Sequence, residues 1–213
     1  MRASRATQHL TPPPSPDALR GRFPVTTVPS GTTTYRTHRA RFAPWWFGNG
    51  LGGRFDLPGP DGTCYVAETS LITLLETWGG IQLVPSTEIA DRAVSTLAVT
   101  RDLHVADTTS NAAIRFGMTA EISTTPDYDL TQQWAQALRA AGFDGIRYWA
   151  RHDLAHTDAC FALFTPRGDQ TSTAAAPTDF TVLGTDVLPD RPDLWELLKA
   201  TTGIEVLDIP GSL

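Results

Sequence analysis

The sequence predicts an α+β domain with a mixed β-sheet core and flanking helices. Of its 213 residues, 41% are hydrophobic and 19% charged, enough apolar material for one full core. Six short segments have the β-branched and aromatic character of strands, and three stretches repeat apolar residues at helical spacing. These elements follow one another without the regular alternation of a doubly wound parallel sheet.

Residues 1–31 hold Pro12, Pro13, Pro14 and Pro16 with few apolar anchors, and read as a flexible N-terminal arm. The main domain is expected over 32–165. Its strands fall at 33–40, 63–67, 95–100, 102–106, 145–150 and 160–164. In the first of them, alternation puts Thr34, Arg36 and His38 on one face, and Tyr35 and Thr37 on the other. A helix over 69–78 places Leu71, Leu74, Leu75 and Trp78 together and stops at Gly79-Gly80. Asp129 is positioned to cap a second helix over 130–141, in which Trp134, Ala137, Leu138 and Ala141 share a face and Gly142 is the stop. Residues 166–178, rich in Thr, Ala and Pro, form a loop. The remaining 179–213 read as a C-terminal appendage packed on the same domain, with a helix over 192–200. Trp195 and its neighbouring leucines either cover the core or join an interface between copies of the chain.

Several function classes are excluded. The net charge of −6 comes without dense Lys/Arg clusters, so no direct nucleic-acid partner is expected. No apolar run approaches the ~20 residues that cross a bilayer, and no short apolar block follows the first arginines. Membrane insertion and secretion are therefore not expected, and a cytoplasmic location is. Cys64 and Cys160 lie in apolar segments and read as buried thiols of a reducing compartment. His152 and His156, with Asp153 and Asp158 nearby, lack the accompanying Glu and secure helix of a metal motif, so no metal site is predicted. Gly48, Gly50 and Gly53 formally satisfy a dinucleotide-binding glycine pattern. They lack a buried strand before them and a helix start after them, and read instead as a mobile pocket loop.

Chemistry-bearing residue types are densest between Tyr35 and Glu76. Arg36 and His38 on one strand face suit an anion, and Arg54 follows the glycine loop. Glu76 sits among apolar neighbours at the edge of a buried helix face, where its carboxylate is expected to be partly desolvated. Trp45, Trp46 and Phe47 form core or pocket wall.

Read in order, YR at 35–36, GGRFD at 52–56, CYVAE at 64–68, LLET at 74–77, GFDGIRYWAR at 142–151 and CFALF at 160–164 resemble the RES domain of toxin–antitoxin systems. The resemblance spans roughly 33–164, with Arg54, Tyr65 and Glu76 at intervals of 11 residues as in that family's motif. It implies an ADP-ribosyltransferase-like fold and a toxin-like enzyme for which NAD is substrate rather than cofactor, cleaved between nicotinamide and ribose by hydrolysis or phosphorolysis. Breaking that bond builds positive charge on the ribose, which a carboxylate stabilises, while arginines match the pyrophosphate oxygens. Under the resemblance Glu76, Arg54 and Tyr65 form the catalytic set. Glu76 stabilises the ribosyl cation, Arg36 and Arg54 clamp the phosphates, and Tyr65 or Trp46 holds nicotinamide. Tyr35, His38 and Arg151 complete the substrate-binding residues. The implied partner is an Xre-like helix-turn-helix antitoxin. A catalytically weakened NAD-binding or partner-binding module, and transfer of ADP-ribose to a protein, remain alternatives. One departure stands out: Ala150 occupies the place of the family's serine, and Ser70 or His152 are the candidates to substitute for the missing hydroxyl.

Overall fold

The structure, a computed structural model, describes residues 8–208. In chain order its elements are α1 (Pro16–Leu19), β1 (Val25–Val28), β2 (Thr33–Arg39), β3 (Trp46–Phe47), β4 (Asp61–Ala67), α2 (Ser70–Trp78), β5 (Leu83–Pro85), α3 (Ser86–Ala90), β6 (Arg92–Val99) and β7 (Leu103–Asp107). A 3₁₀ turn (Asn111–Phe116) follows, then α4 (Glu121–Thr124), α5 (Tyr128–Ala140), β8 (Gly145–Trp149), β9 (Ala159–Pro166), β10 (Gly168–Asp169), β11 (Phe180–Val187), α6 (Pro192–Thr202) and β12 (Glu205–Leu207).

Eight strands make one mixed sheet in the order β1-β7-β8-β9-β4-β2-β6-β11. Only β7 and β8 run parallel within it. The expected α+β arrangement, a mixed sheet with flanking helices, is what forms. β9 lies centrally and is buried along nearly its whole length, which accounts for the uninterrupted apolar run Cys160–Phe164. The helical side of the sheet packs Trp78, Trp134, Leu138 and Phe143 into the larger core. The other side packs Trp45, Phe47, Cys64, Leu97 and Phe161 around Phe180, whose ring lies 4.8 Å from that of Trp45. Among the described residues no helix is long and apolar enough to cross a membrane.

The N-terminal segment departs from the expected loose arm. Residues 1–7 lie outside the described region, but Leu10, Leu19, Phe23 and Val28 are buried and β1 pairs with β7. Four well-spaced apolar residues suffice to seat it, and proline stiffness lowers the entropy lost in doing so. The Thr11 carbonyl also accepts from the Trp134 indole at 2.8 Å. At α5 the cap is Asp127, not Asp129: its carboxylate accepts from the Leu130 N–H at 3.1 Å, and the helix starts two residues earlier than expected. After 179 the chain adds β11 to the sheet edge beside β6, and α6 then packs on α2, with Trp195 edge-on to Trp78 at 5.9 Å.

The sheet is split at its middle. β4 pairs with β9 along its full length, but β2 and β4 meet through Tyr35 and Ala67 alone. Beyond that pair the strands diverge. The Thr37 N–H, which a regular ladder would bond to β4, donates instead to the Thr73 hydroxyl of α2 at 2.6 Å.

Candidate active site

The split opens into a cavity of about 330 Å³, walled by Thr37 of β2, Tyr65 and Ala67 of β4, and Thr73 and Glu76 of α2. Arg54, Tyr128, Tyr148, Arg151, His152 and Cys160 close it. Loops, a helix and both diverging strands thus converge on one space.

Glu76 is solvent-exposed at this cavity, not desolvated as its apolar helix neighbours suggested, because the split leaves its face of α2 uncovered. Both carboxylate oxygens are nevertheless held. The Tyr148 hydroxyl donates to Oε2 at 3.0 Å, and the Arg151 N–H donates to Oε1 at 3.1 Å. The second bond requires the loop after β8 to lie against the end of α2. Gly79 permits that approach: a Cβ there would meet the Cβ of His152 at 2.4 Å. Gly79 has ordinary helical backbone angles, so space rather than conformational freedom demands glycine.

Arg54 is held from both ends of the residue. Its Nη1 donates to the Thr125 carbonyl at 2.6 Å, its guanidinium lies 5.0 Å over the Tyr128 ring, and its own carbonyl accepts from the Thr131 hydroxyl. The glycine loop before it is likewise tied down, since the Gln132 side-chain amide donates to the Leu51 and Gly53 carbonyls at 3.0 and 2.9 Å. That replaces the expected mobile loop with an anchored one.

Tyr65 completes the anchor. Its hydroxyl accepts from the Phe55 N–H at 2.8 Å and donates to the Asp56 carboxylate at 2.8 Å. Gly53 leaves room for this pair, since a Cβ there would meet Asp56 Oδ1 at 2.5 Å and the Tyr65 hydroxyl at 2.6 Å and would displace them. Burial first, and then the Asp56 charge, push the Tyr65 phenol well above its ordinary range. Tyr148 is raised likewise, by burial and the Glu76 carboxylate, and the Cys160 thiol by burial and the same carboxylate. At neutral pH the two phenols are donors and the thiol stays protonated, so the cavity offers one oriented carboxylate and no thiolate nucleophile.

Not every residue expected at the site converges on it. Tyr35 and Thr37 share a face with Ala67 and Tyr65, whereas Arg36 faces the side of Cys64 and Val66. Arg36 reaches the cavity wall, yet its Nη1 is committed to the Pro44 and Trp46 carbonyls and the Cys64 sulfur. It closes the split from behind. Tyr35 is half-buried and is not among the cavity's lining residues. His38 is buried behind the sheet, with Nε2 on the Ser95 hydroxyl at 2.8 Å and Nδ1 on the Arg39 carbonyl at 3.0 Å. Trp46 is exposed and stacked on Phe42, away from the cavity.

Arg151 and His152 do line the cavity, and Ala150, at the serine position, is buried against a second cavity beside it. Sequence reasoning missed Tyr148, Tyr128 and Asp56. Tyr148 and Asp56 lay inside quoted motifs, but nothing in a linear pattern brings β8 to α2. Among the described residues no group of three or more His, Cys, Asp or Glu is placed to hold a metal.

Comparison with known proteins agrees with this architecture. The family profile described as the RES domain matches residues 33–183. No curated protein matches the chain. Among solved structures, the fold is similar to a chain in the "Crystal structure of the M.tuberculosis MbcT-MbcA toxin-antitoxin complex", with a TM-score of 0.60 and 19% identity over 82% of this chain and 92% of that one. The matched stretch begins at β2, passes both walls of the split and ends inside β11, and on that match the chain belongs to the RES domain family.

Proposed function

We propose that the chain is the toxin of a toxin–antitoxin pair and that it acts by cleaving NAD at the bond between nicotinamide and ribose. The observation that carries this reading is the Glu76 carboxylate, fixed by Tyr148 and the Arg151 N–H in a cavity that also presents the Arg54 guanidinium. Membership of the RES family and the likeness to a chain from a toxin–antitoxin complex support it.

In this reading the C1′–N bond of the nicotinamide riboside breaks and its electron pair leaves with nicotinamide, which becomes neutral. The ribose carbon is left with oxocarbenium character that the nearby Glu76 carboxylate stabilises. An acceptor oxygen then bonds to C1′ and gives up its proton. Arg54, presented by the Tyr65–Asp56 clamp, faces the pyrophosphate, and a guanidinium fork matches its oxygens. Tyr65 acts chiefly through that clamp, because its hydroxyl is already engaged twice. The implied antitoxin is an Xre-like helix-turn-helix protein, tested by co-purification with a neighbouring gene product.

Purified protein incubated with NAD, with and without inorganic phosphate, is expected to release nicotinamide. ADP-ribose as product identifies water as acceptor, a phosphorylated ADP-ribose identifies phosphate, and label on a macromolecule identifies protein transfer. Glu76→Gln is expected to lower the rate by at least ~100-fold with an unchanged melting temperature, as loss of an electrostatic stabiliser does. Equal turnover by Glu76→Gln and wild type would refute the assignment.

A further inference from the structure

A second cavity, of about 470 Å³, lies beside the first between the end of β8, the 3₁₀ turn and α4. Arg151 lines both, so the two spaces adjoin at that residue. Their chemistry differs. The first is bordered by Arg36, Arg54, Glu76, Arg151 and His152. In the second, Arg151 and His156 are the only ionisable residues among those that line it. Its walls carry hydroxyl and amide groups from Thr108, Ser110, Asn111 and Ser123, over an apolar floor of Ala113, Met118, Ile122 and Ala150.

A hydrogen-bonding hollow with an apolar floor and no carboxylate in its lining suits an uncharged heterocycle and its sugar. The first cavity stands at the small end of the roughly 300–1,000 Å³ range of ligand pockets, room for one half of a dinucleotide rather than both. When one nucleoside occupies it with the scissile carbon at Glu76, the pyrophosphate falls toward the cavity's arginines. The other nucleoside then needs a place beyond Arg151. We propose that the second cavity is the subsite for the adenosine half of the dinucleotide, with Arg151 at the junction facing the pyrophosphate. This inference rests on the NAD-cleavage reading.

The test compares NAD with nicotinamide mononucleotide, which carries the same scissile bond and lacks the adenylate half. Two variants fill the second cavity without touching the first: Asn111→Trp at its exposed rim, and Ser123→Leu inside it. Each is expected to lower kcat/KM for NAD by about tenfold or more while leaving that for the mononucleotide unchanged, because only NAD reaches the altered space. An undiminished rate on NAD in both variants overturns the subsite, and so does an equal loss on both substrates. A wild-type protein that cleaves neither substrate overturns the NAD reading instead. The subsite is then decided by calorimetry with adenosine monophosphate. Binding to wild type that weakens in both variants upholds it, and absence of binding to wild type removes it.

Discussion

At the scale of single residues, the site is a set of side chains whose hydrogen bonds are already made. Glu76 takes two, from a phenol and a backbone N–H, and burial and the carboxylate together push the Tyr148 phenol further above its ordinary range, so it stays a donor. A hydroxyl therefore reaches this carboxylate even though Ala150 stands where the family's serine is expected. Neither Ser70 nor His152, the candidates from sequence, makes that contact. Tyr148→Phe removes one bond to a charged acceptor, worth about 1.5–3 kcal/mol, so kcat on NAD is expected to fall about 10- to 100-fold with KM little changed. Steady-state kinetics check this, and an unaltered kcat would leave the Arg151 N–H as sufficient. The residue was printed in the motif GFDGIRYWAR, but its partner is 72 positions away in sequence, beyond the reach of any local pattern. Arg36 reaches the cavity wall as expected of a site residue, but with its Nη1 already bonded to protein groups. Alternation placed it correctly with Thr34 and His38, but which face of β2 meets the cavity depends on which strands flank it. That Thr37, rather than Arg36, shares the face of Tyr65 follows only from the register of Tyr35 with Ala67.

Among elements, those with strong internal periodicity were legible. The helix over α2, the strands β4, β8 and β9, and most of β2 fall within a few residues of their expected limits. The edge strands β1 and β11 were not, because half-exposed segments such as Val25–Val28 and Phe180–Val187 have no clean alternation to detect. β11 nonetheless completes a relay that runs from the buried core to the surface: His38 on β2 and Ser95 on β6, both buried, and exposed Thr185 on β11 at 2.7 Å from the Ser95 hydroxyl. The Nδ1 contact to a carbonyl makes Nδ1 the protonated nitrogen, so Nε2 accepts from Ser95. Burial holds this imidazole below the usual histidine range, aided by the Arg36 and Arg92 charges and opposed by the Arg39 carbonyl bond. The sign follows directly. Above about pH 6.5 the histidine is neutral whether folded or unfolded and contributes nothing. As pH falls below that value the unfolded chain takes the proton first, and stability is lost until the depressed native value is passed. Urea midpoints at pH 7 and pH 5 are expected to differ more for wild type than for His38→Gln; the same difference in both would assign the acid sensitivity elsewhere.

For the whole molecule, the first and last strands that the chain contributes to the large sheet are its two edges. The segment expected as a loose arm supplies β1, and the segment expected as an appendage supplies β11, with the split between them in the interior. Composition and spacing predicted the fold class because the core is large and its strands are apolar. The order of strands lay outside their reach, since it is set by pairings between distant residues such as Tyr35 with Ala67. That single pair has a consequence for motion. The Thr37 amide is guarded by a side chain of α2 rather than by a neighbouring strand. Deuterium should therefore enter at Thr37 whenever α2 shifts, well before it enters the fully paired amides of β4 and β9. Native-state exchange read by NMR checks the order, and protection at Thr37 equal to that in β9 would deny it. Because Glu76 rides on the same helix, labelling at this one amide would report how often the carboxylate leaves its place.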